Sequence, residues 1–223
     1  MSVIKYPTMI SSLSNKKTPL ILLPGWGTNS TLFSNLQTPY KPVQIHQLSR
    51  STLDEISHYI QKEKCLKVHL LGFSMGGFLA AQFAATHPHL VESVTLIGVR
   101  KNYPDKEISM VKGYLNRSKE AYMNTFYRAC FNTETGYLKF KKTLLSQPQP
   151  PFKRDYLIEM LTYLGELTLA PELLKKIPHL HFIHGLHDTI APLSEVEALV
   201  NATPHATLEI LKEGHIPLSF FKA

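Results

Sequence analysis

Gly72-Phe73-Ser74-Met75-Gly76 reads Gly-x-Ser-x-Gly, a serine with a glycine two positions to either side. An apolar run precedes it and a small-residue helical pattern follows. This context suits a nucleophile elbow, a sharp strand-to-helix turn that presents the serine hydroxyl. The glycines let strand and helix approach without a Cβ clash. The helix start behind Ser74 aims backbone N–H groups at incoming negative charge. The chemistry implied is attack by a hydroxyl, which is weak unless a base removes its proton.

Position in the chain narrows the base and the acid, which follow the serine in the order acid, then histidine. Of 11 histidines, His215 stands in Glu213-Gly214-His215-Ile216-Pro217, just after the last predicted strand. A loop there can overhang the carboxyl end of a sheet, where Ser74 also sits. His181, His184 and His187 lie nearer the preceding strand and read as packing or surface residues. Among four aspartates, Asp54 opens a helix and reads as its N-cap, and Asp155 falls in a helical stretch. Asp188 follows a predicted strand in Gly185-Leu186-His187-Asp188-Thr189, where it can orient the His215 imidazole and stabilise the imidazolium. Asp105, beyond a neighbouring strand, is the alternative acid. Pro24-Gly25-Trp26-Gly27 closes the first clear strand. The backbone N–H groups of Trp26 and of Met75 are the candidate oxyanion hole.

These residues need strand ends on one edge of a sheet. Short apolar runs alternate with helical patterns, the signature of a mainly parallel sheet flanked by helices. Strands are predicted at Leu20–Leu23, Val43–Leu48, Val68–Gly72, Val94–Val99, Leu180–His184 and Thr207–Leu211. Helices are predicted at Leu53–Gln61, Gly76–Thr86 and Ser194–Asn201. From about Arg100 to Lys175 the pattern is helical and amphipathic, with a turn at Gln147–Pro151. Residues 1–99 and 176–223 are therefore expected to form one catalytic core, and 100–175 an inserted helical lid.

The bulk properties restrict function. The 223 residues are 43% hydrophobic and 18% charged, ordinary for a soluble globular chain. No apolar run reaches the roughly 18 residues of a membrane span. The N-terminus lacks a secretory apolar block, so a cytoplasmic location is expected. Cys65 and Cys130 form no framework and read as reduced thiols. No metal-ligand cluster stands out, and the reaction implied calls for no cofactor. The net charge is +7, yet no nucleic-acid signature accompanies it. An acidic protein partner stays open on that charge, no nucleic-acid or membrane partner is expected, and a monomer is expected.

With these motifs in hand, the chain resembles the α/β-hydrolase superfamily over nearly its whole length. More narrowly, it is similar to the pimeloyl-[acyl-carrier protein] methyl ester carboxylesterases of biotin synthesis. Leu22-Leu23-Pro24-Gly25-Trp26-Gly27 resembles that family's Leu-Leu-His-Gly-Trp-Gly loop, with Pro24 in place of its histidine. The elbow with its helix to His87-Pro88 is the second match. Phe140-Lys141-Lys142-Thr143-Leu144-Leu145-Ser146-Gln147-Pro148 resembles the family's Leu-Lys-Lys-Thr-Val-Leu-Ala-Leu-Pro. The family's Asp-x-x-Gly-x-Gly-x-Ser loop is replaced by Gln44-Ile45-His46-Gln47-Leu48-Ser49-Arg50.

The resemblance implies that Ser74, Asp188 and His215 form the triad and that Trp26 and Met75 contact the ester. It implies that Phe126, Tyr127, Arg128, Ala129 and Cys130 line an acyl channel. Eight residues follow His215, so the last helix is expected to be absent or vestigial, with Leu218, Phe220 and Phe221 available for packing or dimerisation. Arg100–Lys175 holds 13 Lys and Arg against 8 Asp and Glu, which supplies most of the net positive charge. Acyl carrier proteins are acidic, so Lys139, Lys141, Lys142, Lys153 and Arg154 are candidate docking residues. The expected reaction is hydrolysis of the methyl ester of pimeloyl-acyl-carrier protein. A general short-chain carboxylesterase, an acyl thioesterase and an inactive binding scaffold are the alternatives.

Overall fold

The computed structural model describes residues 18–142 and 152–221. The predicted turn at Gln147–Pro151 and the resemblance over Thr143–Pro148 lie outside these residues, as does the N-terminal stretch to residue 17. Six strands build one sheet: β1 (Pro19–Leu23), β2 (Lys41–Gln44), β3 (Val68–Phe73), β4 (Val91–Ile97), β5 (Leu180–Gly185) and β6 (Thr207–Leu211). Their order is β2-β1-β3-β4-β5-β6, and every neighbouring pair is parallel. The chain leaves β1 toward one edge and returns as β3 on its other side. Such a switch point opens a crevice at the carboxyl ends of two adjacent strands, here the ends carrying Pro24–Gly27 and Ser74.

Burial explains which strands were easy to read. All six residues of β3 are buried, as continuous apolar runs in a central parallel strand require. Edge strand β2 is exposed at three of its four positions and spans 41–44 rather than the predicted 43–48. It accommodates Pro42, a residue suited to an edge because it cannot donate to a ladder. After Gln44 the chain makes one more bond, Ile45 N–H to the Leu22 carbonyl, and then crosses toward Ser30. β4 begins at Val91, earlier than predicted, and ends before Gly98, whose φ of +60° turns the chain out of the sheet.

Helices α1 (Thr52–Glu63) and α2 (Met75–Thr86) precede β4, and α7 (Leu193–Asn201) joins β5 to β6. The N-cap of α1 is Ser51, not Asp54; Asp54 sits in the first turn with Glu55, where carboxylates favour the helix dipole. α2 is apolar around most of its circumference and is buried accordingly. Between β4 and β5 come α3 (Asp105–Ala129), α4 (Glu134–Phe140), α5 (Arg154–Glu166) and α6 (Pro171–Leu174). α3 is broken at Ser118, whose φ of −162° and ψ of 103° are extended. The Ser118 hydroxyl accepts from the Ala121 N–H at 3.4 Å and so caps the second half. No helix among the described residues is long and apolar enough to cross a membrane.

The last element among the described residues is a four-residue helix, α8 (Leu218–Phe221). Its apolar side chains are not left for a partner. Leu218, Phe220 and Phe221 are buried in the chain's own core, with Phe221 edge-on to Phe33 and Phe73. Cys65 and Cys130 are not joined in a disulfide.

Two glycines are fixed by close approach. A Cβ on Gly72 would overlap the Gly76 carbonyl, and one on Gly76 would overlap the carbonyls of Leu23 and Pro24. Gly113, inside α3, has open space beside it. Gly76→Ala should therefore cost about 1–3 kcal/mol through backbone overlap. Gly113→Ala should stabilise by about 0.5–1 kcal/mol through helix propensity alone. Urea unfolding of both variants checks the pair of opposite signs.

Candidate active site

Ser74 is the residue between β3 and α2, and its backbone has φ 49° and ψ −117°. A positive φ is unusual for a side chain bearing a Cβ. It is held because the Ser74 N–H donates to the Ile97 carbonyl at 2.7 Å and its own carbonyl accepts from Gly77 N–H at 2.8 Å. The turn projects Oγ toward His215, whose Nε2 lies 3.1 Å away. His215 Nδ1 lies 2.7 Å from Asp188 Oδ2. An ionised carboxylate only accepts, so Nδ1 carries the proton and Nε2 offers its lone pair to the Ser74 hydroxyl. The other oxygen of Asp188 accepts from the N–H groups of Ile190 and Ala191, both at 2.8 Å. Ser74, Asp188 and His215 are all buried.

Burial raises the Asp188 carboxyl toward protonation. The His215 charge and hydrogen bond, the Ala191 N–H and His184 act the other way, and the net result lies below the ordinary value. Asp105, the alternative acid, begins α3 and takes no part in this chain of bonds.

Two loops carry the acid and the histidine, and the end of α3 ties both down. Thr189 Oγ1 donates to the Ala129 carbonyl at 3.1 Å, and Ile216 N–H donates to the Cys130 carbonyl at 3.2 Å. The loops also join each other, His187 N–H to the Glu213 carbonyl at 2.9 Å. The His215 ring packs against Phe73.

The Trp26 loop sits under the second half of α3. Trp26 is buried, and its indole N–H donates to the Leu157 carbonyl at 2.9 Å. Its ring meets Phe126 edge-on with centroids 5.1 Å apart. Tyr127 donates its hydroxyl to the Gly27 carbonyl at 2.6 Å. Met75 is the first residue of α2, where a backbone N–H has no acceptor within the helix. The five residues 126–130 do not share one face, because successive helical side chains are about 100° apart. Phe126 and Tyr127 reach the Trp26 loop, and Cys130 is buried. Arg128 and Ala129 are exposed, and Arg128 pairs with Glu134. Lys139, Lys141, Lys142, Lys153 and Arg154 are exposed, on or beside α4 and at the start of α5.

Two residues escaped the sequence reading. Burial and the Asp188 charge push the Tyr103 phenol well up, with Ser74 and Arg100 acting the other way, so it stays protonated. Its position just past β4, on the same sheet edge, was the available signal. His184 lies beside Asp188, with its Nε2 3.5 Å from Oδ2. Among the described residues no cluster of three or more His, Cys, Asp or Glu is arranged to hold a metal.

Comparison with known proteins now bears on this geometry. A family model described as the alpha/beta hydrolase fold matches residues 66–154. An esterase from Exiguobacterium antarcticum superposes with a TM-score of 0.74 at 20% identity, over 90% of this chain and 85% of that one. The enol-lactonase from Burkholderia xenovorans LB400 gives 0.77 at 13% identity, over 93% and 90%. This is an α/β-hydrolase fold. Proteins named pimeloyl-[acyl-carrier protein] methyl ester esterase, from Salmonella agona strain SL483 and Salmonella typhimurium, are 24% identical to it over 89% of this chain and 87% of theirs.

Within this hydrolase fold, the depressed Asp188 carboxyl makes a contribution to stability with a definite pH sign. It is present above the unfolded value near 3.8 and is lost as pH falls through the lower folded value. Asp188→Asn should lack that acid-side component. Unfolding midpoints of the two proteins between neutral pH and about pH 3 should converge as the pH falls.

Proposed function

We propose that this chain is a serine carboxylesterase with Ser74 as nucleophile, His215 as general base and acid, and Asp188 as the residue orienting His215. The observation that carries the reading is the continuous hydrogen-bonded chain from Asp188 through His215 to a serine held on a strained elbow. His215 takes the Ser74 proton as Oγ attacks the ester carbonyl. The N–H groups of Trp26 and Met75 receive the oxyanion. His215 gives its proton to the departing alcohol, leaving the acyl group on Ser74. Water, deprotonated by His215, then attacks the acyl-enzyme, and His215 passes that proton to the departing Ser74 Oγ, which frees the acid and restores the serine hydroxyl.

The substrate we infer is the methyl ester of pimeloyl-acyl-carrier protein, with methanol as the leaving alcohol. The names of the similar Salmonella proteins support it, and so does the positive excess of residues 100–175. In this reading residues 100–175 form a lid over a core of 1–99 and 176–223, and Phe126 and Tyr127 border the acyl site beside Trp26. Lys139, Lys141, Lys142, Lys153 and Arg154 would meet an acidic carrier protein, which attracts such a surface before contact.

Ser74→Ala should lower p-nitrophenyl butyrate hydrolysis by at least about 10³-fold. Equal rates for the two proteins would end the esterase reading. Expression of the intact chain in a biotin auxotroph lacking its methyl esterase should restore growth, and Ser74→Ala should not. Retained esterase activity without rescue would point instead to a general short-chain carboxylesterase.

Charge reversal at Lys139, Lys141 and Lys142 together should raise KM for the carrier-bound ester by about tenfold while sparing the butyrate ester. Steady-state kinetics on both substrates checks this, and equal effects would remove the docking role.

A further inference from the structure

His184 is the only fully buried imidazole outside the Ser74–His215–Asp188 chain among the described residues, and no step above uses it. It stands on β5, one residue before the strand ends, so the sheet fixes its backbone. Nε2 lies 2.7 Å from the Ala191 carbonyl. A carbonyl has no proton to give, so Nε2 carries the hydrogen and donates it. Nδ1 is buried with no hydrogen-bond partner, and protonating it would bury an unpaired donor and a charge. His184 is thus held as one neutral tautomer, and burial pushes its pKa down in agreement.

The consequence lies in what Ala191 does next. While its carbonyl is held by His184, its N–H donates to Asp188 Oδ1 at 2.8 Å. The His184 Nε2 atom also stands 3.5 Å from Asp188 Oδ2, the oxygen that receives His215. The loop after β5 is therefore fastened back onto β5 through one imidazole, and both oxygens of the carboxylate are aimed by that fastening.

We propose that His184 is a positioning residue for the acid: by anchoring Ala191 to β5 it sets the orientation of Asp188 toward His215. This rests on the triad reading above. Gln is the conservative test, because its side-chain amide N–H can replace the Nε2 donor, whereas Phe fills the space without one.

His184→Phe should lower kcat for p-nitrophenyl butyrate by roughly 10- to 100-fold, the scale of a small misplacement of a catalytic group. KM should stay within about twofold, because His184 does not touch the ester-binding loop. His184→Gln should recover most of the loss. The downfield proton resonance of the His215–Asp188 bond should broaden or shift in His184→Phe and return in His184→Gln. That resonance is read without substrate, so it reports on the acid even if the esterase reading fails. An inactive Ser74→Ala alongside a His184→Phe that matches the parent in kcat and in the resonance would overturn the proposal and leave the triad intact. Equal losses in both His184 variants with an unchanged resonance would overturn it as well. An active Ser74→Ala would instead remove the triad reading on which it rests.

Discussion

The arrangement depends on a backbone that a serine does not adopt readily. Ser74 sits at positive φ, a conformation costing of order 1–3 kcal/mol for a residue with a Cβ. The surrounding structure over-determines it. Its N–H is taken by β4 and its carbonyl by α2, so relaxing the turn would break both bonds. The turn also brings the start of α2 against β3, which leaves no room for a Cβ on Gly72, and against the end of β1, which leaves none on Gly76. Strand order follows from the same constraint: β1 must lie beside β3 for the Pro24–Gly27 loop to reach the serine.

A second constraint acts on the acid and the histidine. Both stand on loops, and a loop alone does not hold a side chain to tenths of an ångström. The end of α3 supplies two carbonyls, Ala129 and Cys130, one to each loop. The segment between β4 and β5 therefore shapes the site from its far end as well as from above, where its second half covers the Trp26 loop. The break at Ser118 lets the first half run toward Arg100 while the second half turns over that loop. Arg100 pins the first half through ion pairs to Glu107 and Glu195, the latter on α7.

The central strands were legible because β1, β3 and β5 are almost wholly buried and are mostly apolar, with histidine the only interruption, at His69, His181 and His184. The meeting of Ser74, Asp188 and His215 was legible because the elbow has a fixed spacing and the other two occupy strand ends in a known order. What stayed hidden had a weaker signal. β2 is an edge strand with Lys41 and Pro42, and half-exposed residues carry little periodicity. The roles of Leu218, Phe220 and Phe221 depended on an aromatic pocket formed by Phe33 and Phe73, residues far away in sequence. The expectation that 126–130 lines one channel ignored helical rotation, which sends Arg128 to solvent. Tyr103 and His184 were hidden for a different reason: their meaning lies in which atom each one faces.

That last point bears on how histidines are sorted. By sequence, His184 and His187 read alike, four residues and one residue ahead of Asp188. The strand separates them. His184 is its penultimate residue and is fully buried, while His187 lies past its end and is exposed. Burial then decides tautomer and charge, since an imidazole with one carbonyl partner and no second one is most stable neutral, with its proton on that partner's side. Asp188 consequently faces two imidazoles with different tasks. One donates to it from Nδ1 and faces the serine hydroxyl with Nε2; the other holds the backbone that aims the carboxylate. A carboxylate flanked this way can remain ionised in a buried site, because each of its oxygens has a donor before any substrate arrives.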